Sequence, residues 1–463
     1  MKQITRKQIE ALPNVNQDLD YSEIPVFTAE DYLARIDRLF AQTGHRYTHF
    51  VIYGDREHCS NIEYFSGYDP RFEESLLVLS ANGVHTLIIG VEGSTYAAKI
   101  PYPLQLEVFP PLSIPCYSNQ MDCSTSEAAV SLESLFQKAG LNENAHVGVL
   151  GWKLMGEAEF DLPLFVFEAL TNIVPRERLT NANAHMIDNE IGMRHTLEVK
   201  ELILTEIAGS KASRAVFDVF SNLREGMNEL EASHWLRIDG DPLNMHPNVN
   251  FGKNIFWGLA SPNPHSALQN GDLVSVGIGF RRSVCFKIGR FAAPEDAMDP
   301  SMAFYFDLYF RSLAAWYESL RIGNTGGQVF QNIEREIGNV AEFGIGINTG
   351  HLIHTDEWTN SPFYKDCGMV LHSGMAIQSD YSAYRPDLGI ALHEEDGVIL
   401  MDAETAAEYS AMAPKSFARM LRRRDFMRQV LGIQIGDEVY PVSDNAGVMY
   451  PCLKDMRIVL ASV

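Results

Sequence analysis

Apolar residues recur at helical spacing from Ala29 to Gln42, placing Tyr32, Ile36, Leu39 and Phe40 on one face, and the pattern then changes to short apolar runs. His49-Phe50-Val51-Ile52-Tyr53, Ser75-Leu76-Leu77-Val78-Leu79 and His85-Thr86-Leu87-Ile88-Ile89-Gly90 are separated by Gly, Pro and Asn, which reads as an α/β sheet. The passage from Pro101 to Pro115 reads as loop or edge strand, because proline cannot donate to a central ladder. Val147-Gly148-Val149-Leu150 returns to strand. Near residue 190 the composition shifts: Met193-Arg194 and Glu198-x-Lys200-Glu201 open a long helix that runs through Ala208, Ala212 and Val216 to Leu223. Gly226 stops it, and Asn228 with Glu231 supplies a second start of capping-box type. From Phe251 to Leu400 the pattern is mostly strand, with one inserted helix from Met302 to Leu320. A last helix, Ala403 to Leu431, carries Arg422, Arg423 and Arg424, read as a solvated or inter-subunit face. The apolar segments Glu438-Val439-Tyr440-Pro441-Val442 and Ile458-Val459-Leu460 close the pattern.

A chain of 463 residues exceeds one ordinary core and implies more than one domain. A net charge of -23 argues against nucleic acid or an anionic membrane as partner, since either polyanion would be repelled. No run approaches the roughly 20 apolar residues of a spanning helix, and Met1-Lys2-Gln3-Ile4-Thr5-Arg6-Lys7 has no apolar signal core, so the expected compartment is the cytoplasm. The cysteines, Cys59, Cys116, Cys123, Cys285, Cys367 and Cys452, form no Cys-x-x-Cys pair and are expected to be reduced and mostly buried. Cys285 falls in a strand expected to line the pocket.

Two stretches carry a family likeness. The first is Asn61-Ile62-x-Tyr64-x-Ser66-Gly67 with Arg71 and Ser75 to Leu79. The second is the ordered set Met193-Arg194, Glu198, Lys200-Glu201, Gly226-x-x-Glu229, Asn270-Gly271-Asp272-Leu273-Val274, Arg290, Gly350-His351 and Gly374-Met375. Over about residues 45 to 400 the chain resembles the pita-bread family, which includes methionine and Xaa-Pro aminopeptidases, prolidase and the metal-free creatinase. The resemblance implies an α/β class: a creatinase-like N-terminal α/β domain over 1–185, a pita-bread α+β domain over 186–402, and a C-terminal helix and strand extension over 403–463. The peptidase members build a two-metal site from two Asp, one His and two Glu. Matched by spacing, those positions fall here on Gly277, Lys287, His351, Gln378 and Glu395, a one-residue slip putting Phe286 or Ile288 in place of Lys287. That set implies no metal and no other cofactor, with the Lys287 ammonium replacing the metal's charge beside Glu395.

The resemblance to creatinase further implies acid/base chemistry by histidine. His265, in Pro264-His265, matches the loop His. His351 and Glu395 complete the expected catalytic set. Arg71, Lys287, Gln378, His354 and Trp358 are the expected substrate-binding residues, Trp358 standing where the family has a second substrate His and forming an apolar wall with Phe363. Three readings follow: a metal-independent hydrolase or lyase of a C–N bond in a small polar nitrogen compound, a catalytically silent binding module, or an Xaa-Pro peptidase with an altered metal site. Family members with this N-terminal domain often complete the pocket across subunits, so a homodimer acting on a small molecule is expected.

Overall fold

The computed structural model describes residues 3–70, 73–113 and 130–463, and the chain divides into two units, Met1–Pro25 with His195–Val463, and Val26–Arg194. The N-terminal arm therefore belongs with the second half of the chain: β1 (Ile4–Gln8) pairs antiparallel with the final strand, β16 (Ile458–Ser462).

In the unit Val26–Arg194, the helix Ala29–Gln42 has the expected bounds and buries Tyr32, Ile36, Leu39 and Phe40. Its first turn is held by the Thr28 N–H, donated to Asp31 Oδ2 at 2.6 Å. The apolar runs become β2 (His49–Gly54), β3 (Ser75–Ser80), β4 (Thr86–Ile89) and β6 (Val147–Leu150), joined by β5 (Gln105–Val108) and by β7 (Leu179–Asn181), a strand outside the expected set. They form one mixed sheet in the order β5-β4-β3-β2-β6-β7. The proline-rich passage supplies its edge strand, β5, as its composition demands.

The other unit is built on a mixed-length antiparallel sheet: β8 (Leu243–Phe251), β9 (Leu273–Phe280), β10 (Ser283–Arg290), β11 (His351–Leu352), β12 (Ala376–Gln378), β13 (Tyr381–Arg385), β14 (Ile390–Leu400) and β15 (Val439–Pro441). β14 is the hub, pairing along its length with β13, β10, β12 and β15. The helix Val199–Ser221 packs across β9 and β10, and both strands are buried from end to end. A strand covered on both faces needs no polar alternation, which is why these two read as apolar runs.

Three expectations change. The insertion holds two main helices, Pro300–Ser319 and Gly326–Ile337; the second begins with a capping box, Thr325 and Gln328. The expected Ala403–Leu431 helix divides into Ala403–Met412 and Pro414–Phe426, because Pro414 has no N–H to continue the ladder. The arginine run is a solvated face only in part: Arg422 is exposed, but Arg423 is buried, bonding Glu206 Oε1 at 2.6 Å and Asp444 Oδ1 at 2.7 Å, and nearby Arg419 joins Glu206 at 2.5 Å. Glu206 lies on the Val199–Ser221 helix, so these ion pairs, with β15 and β16, fasten the segment 403–463 into the unit rather than leaving it as an extension. Cys59, Cys285, Cys367 and Cys452 are free and buried, as expected; Cys116 and Cys123 lie outside the described residues.

Candidate functional site

Alternation along β14 places consecutive acidic residues on opposite faces of the sheet. In register, Cys285 opposes Asp396, Phe286 opposes Glu395 and Lys287 opposes Glu394. Lys287 is fully buried and its Nζ contacts Glu394 Oε2 and Asp396 Oδ2, and donates to the Val448 carbonyl at 3.3 Å. Lys287 therefore does not neutralise Glu395. The expected pairing fails by one residue of register, which in a strand reverses the face. Burial raises both Glu394 and Asp396 above the usual carboxylate range, with Lys287 opposing the shift.

Glu395 points the other way, into a group formed by His351, Glu357, Asp380 and Glu395 whose donor atoms all lie within 4.8 Å of one another. His351 opens β11, Asp380 follows β12, and Glu357 sits on the loop after β11. His351 Nε2 stands 3.2 Å from Glu357 Oε1, 3.5 Å from Glu395 Oε1 and 3.7 Å from Asp380 Oδ2. His351 Nδ1 lies 3.2 Å from the Leu352 carbonyl, which can only accept, so Nδ1 donates there and Nε2 is turned toward the carboxylates. His351 Nε2 and Glu395 Oε1 are buried without a hydrogen-bond partner. Across the two carboxylates, His393 Nε2 stands 3.5 Å from Asp380 Oδ1 and 3.8 Å from Glu395 Oε2, its Nδ1 2.7 Å from Ser382 Oγ.

With a neutral imidazole this group sums to about -3, in a site where His351 is fully buried and Glu395 nearly so. Burial and the neighbouring Glu395 push Asp380 up to about 7. Burial alone would lower His351, but Glu357, Glu395 and Asp380 prevail and raise it well above its ordinary value. Burial opposes ionisation of Glu395, yet His351 and His393 hold it below the usual range. These are the marks of a site short of positive charge. Geometry distinguishes what could supply it. Ligand bonds of 2.0–2.2 Å to a tetrahedral ion set donors about 3.3–3.6 Å apart. An ammonium donating hydrogen bonds of about 2.8 Å would spread them to about 4.6 Å. The three distances from His351 Nε2, 3.2, 3.5 and 3.7 Å, bracket the metal range, and the other donor pairs lie within 4.8 Å.

The family's remaining positions cannot contribute. A Cβ added to Gly277 would fall 2.1 Å from Phe286 Cδ2, so the Phe286 ring fills the space a side chain at 277 would need. The same ring packs edge-on against His393, centroids 4.5 Å apart. A pair of divalent ions sharing two strand carboxylates does not fit these residues; one ion on His351, Glu357, Asp380 and Glu395 does.

Of the residues expected from sequence, the structure brings His351 and Glu395 together, with Trp358 stacked on the His351 ring at 4.4 Å and 19°. Gln378 opposes His351 in register but is not one of the converging donors. Its Nε2 donates to the Val284 carbonyl at 3.4 Å, and Asp380, two residues on, supplies the carboxylate. His354 is buried against Glu201, Nε2 to Oε1 2.9 Å, and does not face the group. His265 is exposed on the loop after β8, with its backbone N–H donated to Asn263 Oδ1, and is not gathered into the group. Phe363 is a core residue against Trp316. Arg71 lies outside the described residues. Glu357, Asp380 and His393 escaped the sequence reading. Asp380 was within reach of a count two residues longer from Gly374-Met375, whereas Glu357 depends on the path of a loop.

Comparison with known proteins places these features. Residues 204–440 match the family described as metallopeptidase family M24. Similar solved structures include an Xaa-Pro dipeptidase from Bacillus anthracis, at 15% identity over 81% of this chain and 96% of that chain with a TM-score of 0.60. The dipeptidase PepE from Mycobacterium ulcerans is 18% identical over 81% and 95%, with a TM-score of 0.61. An X-Pro aminopeptidase from Thermotoga maritima is 15% identical over 80% and 95%, with a TM-score of 0.59. At these identities the likeness is one of fold. No curated protein matches the chain.

Proposed function

Because this chain belongs to metallopeptidase family M24, we propose that it is a hydrolase of a C–N bond in a small peptide or acyl-amino compound, working with a divalent cation at His351, Asp380 and Glu395. The observation that carries the reading is the convergence of three carboxylate oxygens on His351 Nε2 at 3.2–3.7 Å, with all four donor atoms within 4.8 Å of one another, a spacing that suits a metal ion. When bound, such an ion polarises the scissile carbonyl and acidifies its water. The chain's own groups orient and exclude. Leu352 fixes the His351 ring by its carbonyl, Trp358 covers that ring, and Phe286 walls the side toward β9 and β10. His393 Nε2 stands beside the outer oxygens of Asp380 and Glu395, where it can hold a proton for a leaving nitrogen.

The metal-independent creatinase-like reading loses its main support, since Lys287 pairs with Glu394 and Asp396 on the opposite face rather than with Glu395. A silent binding module remains a second reading, favoured by one observation, the Phe286 ring over Gly277. With the enzyme reading go a small-molecule substrate, a homodimer and a cytoplasmic setting; among the described residues no helix is long and apolar enough to cross a membrane. The test is a panel of Xaa-Pro dipeptides, N-acyl amino acids and guanidino acids, assayed on chelator-treated protein before and after Mn²⁺ or Zn²⁺. Turnover that appears only with metal supports the proposal. Equal turnover without metal returns the creatinase-like reading, and silence throughout leaves the binding module.

A further inference from the structure

The cluster's donor count raises a question that the family likeness does not answer: how many ions it takes, and what replaces the lost strand carboxylates. We propose that this chain holds a single divalent cation and that Glu357, from the loop after β11, has taken over as a ligand. The inference rests on the cation-dependent reading above but makes a separate claim.

Three observations carry it. Glu357 Oε1 makes the closest approach of the three carboxylates to His351 Nε2, at 3.2 Å. The loop bearing it is anchored on both sides. His354 bonds Glu201 at 2.9 Å, with Arg282 Nη1 3.4 Å from the same imidazole, and Thr359 donates both its N–H and its hydroxyl to the Leu352 carbonyl, at 3.1 and 2.8 Å. Between these anchors Trp358 stacks on His351, so Glu357 is held beside the ligand imidazole rather than left to swing on an open loop. Its side chain is 29% exposed, the most open member of the group.

Second, the place where another ion would lie offers a ring instead of donors. Gly277 has no side chain, Phe286 occupies the space above it, and the same ring packs against His393. His393 Nε2 reaches only the outer oxygens of Asp380 and Glu395, both of which are already committed through their other oxygens. Third, charge agrees. Three carboxylates with one divalent ion leave the site near -1, whereas two ions would leave it near +1 and short of donors.

Apo protein titrated with Mn²⁺ and Zn²⁺ by calorimetry, with elemental analysis of the reloaded protein, is expected to take up one equivalent. Glu357→Gln is expected to weaken that binding by at least roughly 10–100-fold, the range seen even for groups that only support a ligand, with Glu357→Asp recovering part of it. Since Glu357 is partly exposed, the apo melting temperature should hardly change in either variant, which separates ligand loss from unfolding. Two equivalents in the wild type, or affinity indifferent to Glu357→Gln, overturns this inference and leaves the proposed function standing. No binding at all overturns both.

Discussion

Replacing Lys287 with Met tests the placement of charge behind the site. Lys287 and Asp396 are fully buried and Glu394 is 1% exposed, so removing the ammonium leaves two carboxyl groups in a dry core. Burial pushes Glu394 well above its ordinary value and raises Asp396 as well; with Glu394 keeping a proton, Asp396, held by Ser443 Oγ, is the charge that loses its partner. Breaking one partner of such a pair costs about 3–5 kcal/mol. For a unit of about 300 residues the entropy of unfolding is near 0.6 kcal/mol/K, so the unit's melting temperature should fall by about 5–8 °C. Lys287→Met combined with Asp396→Asn should recover most of the loss, because amide and thioether need no counter-ion. Lys287→Met combined with Glu395→Gln should be additive within about 0.5 kcal/mol, since Glu395 faces the other way. Calorimetric melts of the singles and doubles decide it. Rescue by Glu395→Gln and none by Asp396→Asn would refute the register described for β10 and β14.

Glu206 sets an acid limit. Burial opposes its ionisation, but Arg423 and Arg419 hold it down from an ordinary 4.5 to about 2. A depressed carboxylate contributes stability that is full above 4.5 and lost as pH falls toward 2, here about 3 kcal/mol. Urea unfolding between pH 2.5 and 6 should therefore show a shallower pH dependence in Glu206→Gln than in the wild type; parallel curves would contradict the pairing. Glu229 accepts from the Phe251 and Asn263 N–H groups and from Asn254 Nδ2, each at 2.8 Å, and is fully buried. Glu229→Ala leaves those donors unpaired, so it should cost about 3 kcal/mol or more and speed hydrogen exchange at residues 251 and 263. Unchanged exchange there would show that the loop after β8 is held by other contacts.

How far the sequence carried depended on what each feature needs in order to be read. Ala29–Gln42 was legible to its ends because its apolar face and its Thr28–Asp31 start are local. Glu395 was legible because the Asp396-Gly397-Val398-Ile399 run after it fixes its position. Lys287 was not, because the face of a strand residue turns over with one residue of register, and register is set by pairing across the sheet. Gln378 keeps the position that spacing from Gly374-Met375 assigns it, while the carboxylate comes from Asp380, two residues on, which that spacing does not point to. Glu357 was beyond reach, since its approach to His351 depends on anchors at Glu201 and Leu352, the first 156 residues away in sequence. The arginine run misled for the same reason: Arg423 meets Glu206 only once the two helices pack.

If His351, Glu357, Asp380 and Glu395 surround one metal ion, that ion is visible to anomalous scattering. Crystals grown with Zn²⁺ and measured above and below the zinc edge give the most direct answer. The expected result is a single anomalous peak within coordination distance of His351 Nε2 and of an oxygen from each of Glu357, Asp380 and Glu395, with nothing above Gly277. A featureless map at that point, with the four side chains ordered around it, would rule out a metal ion there.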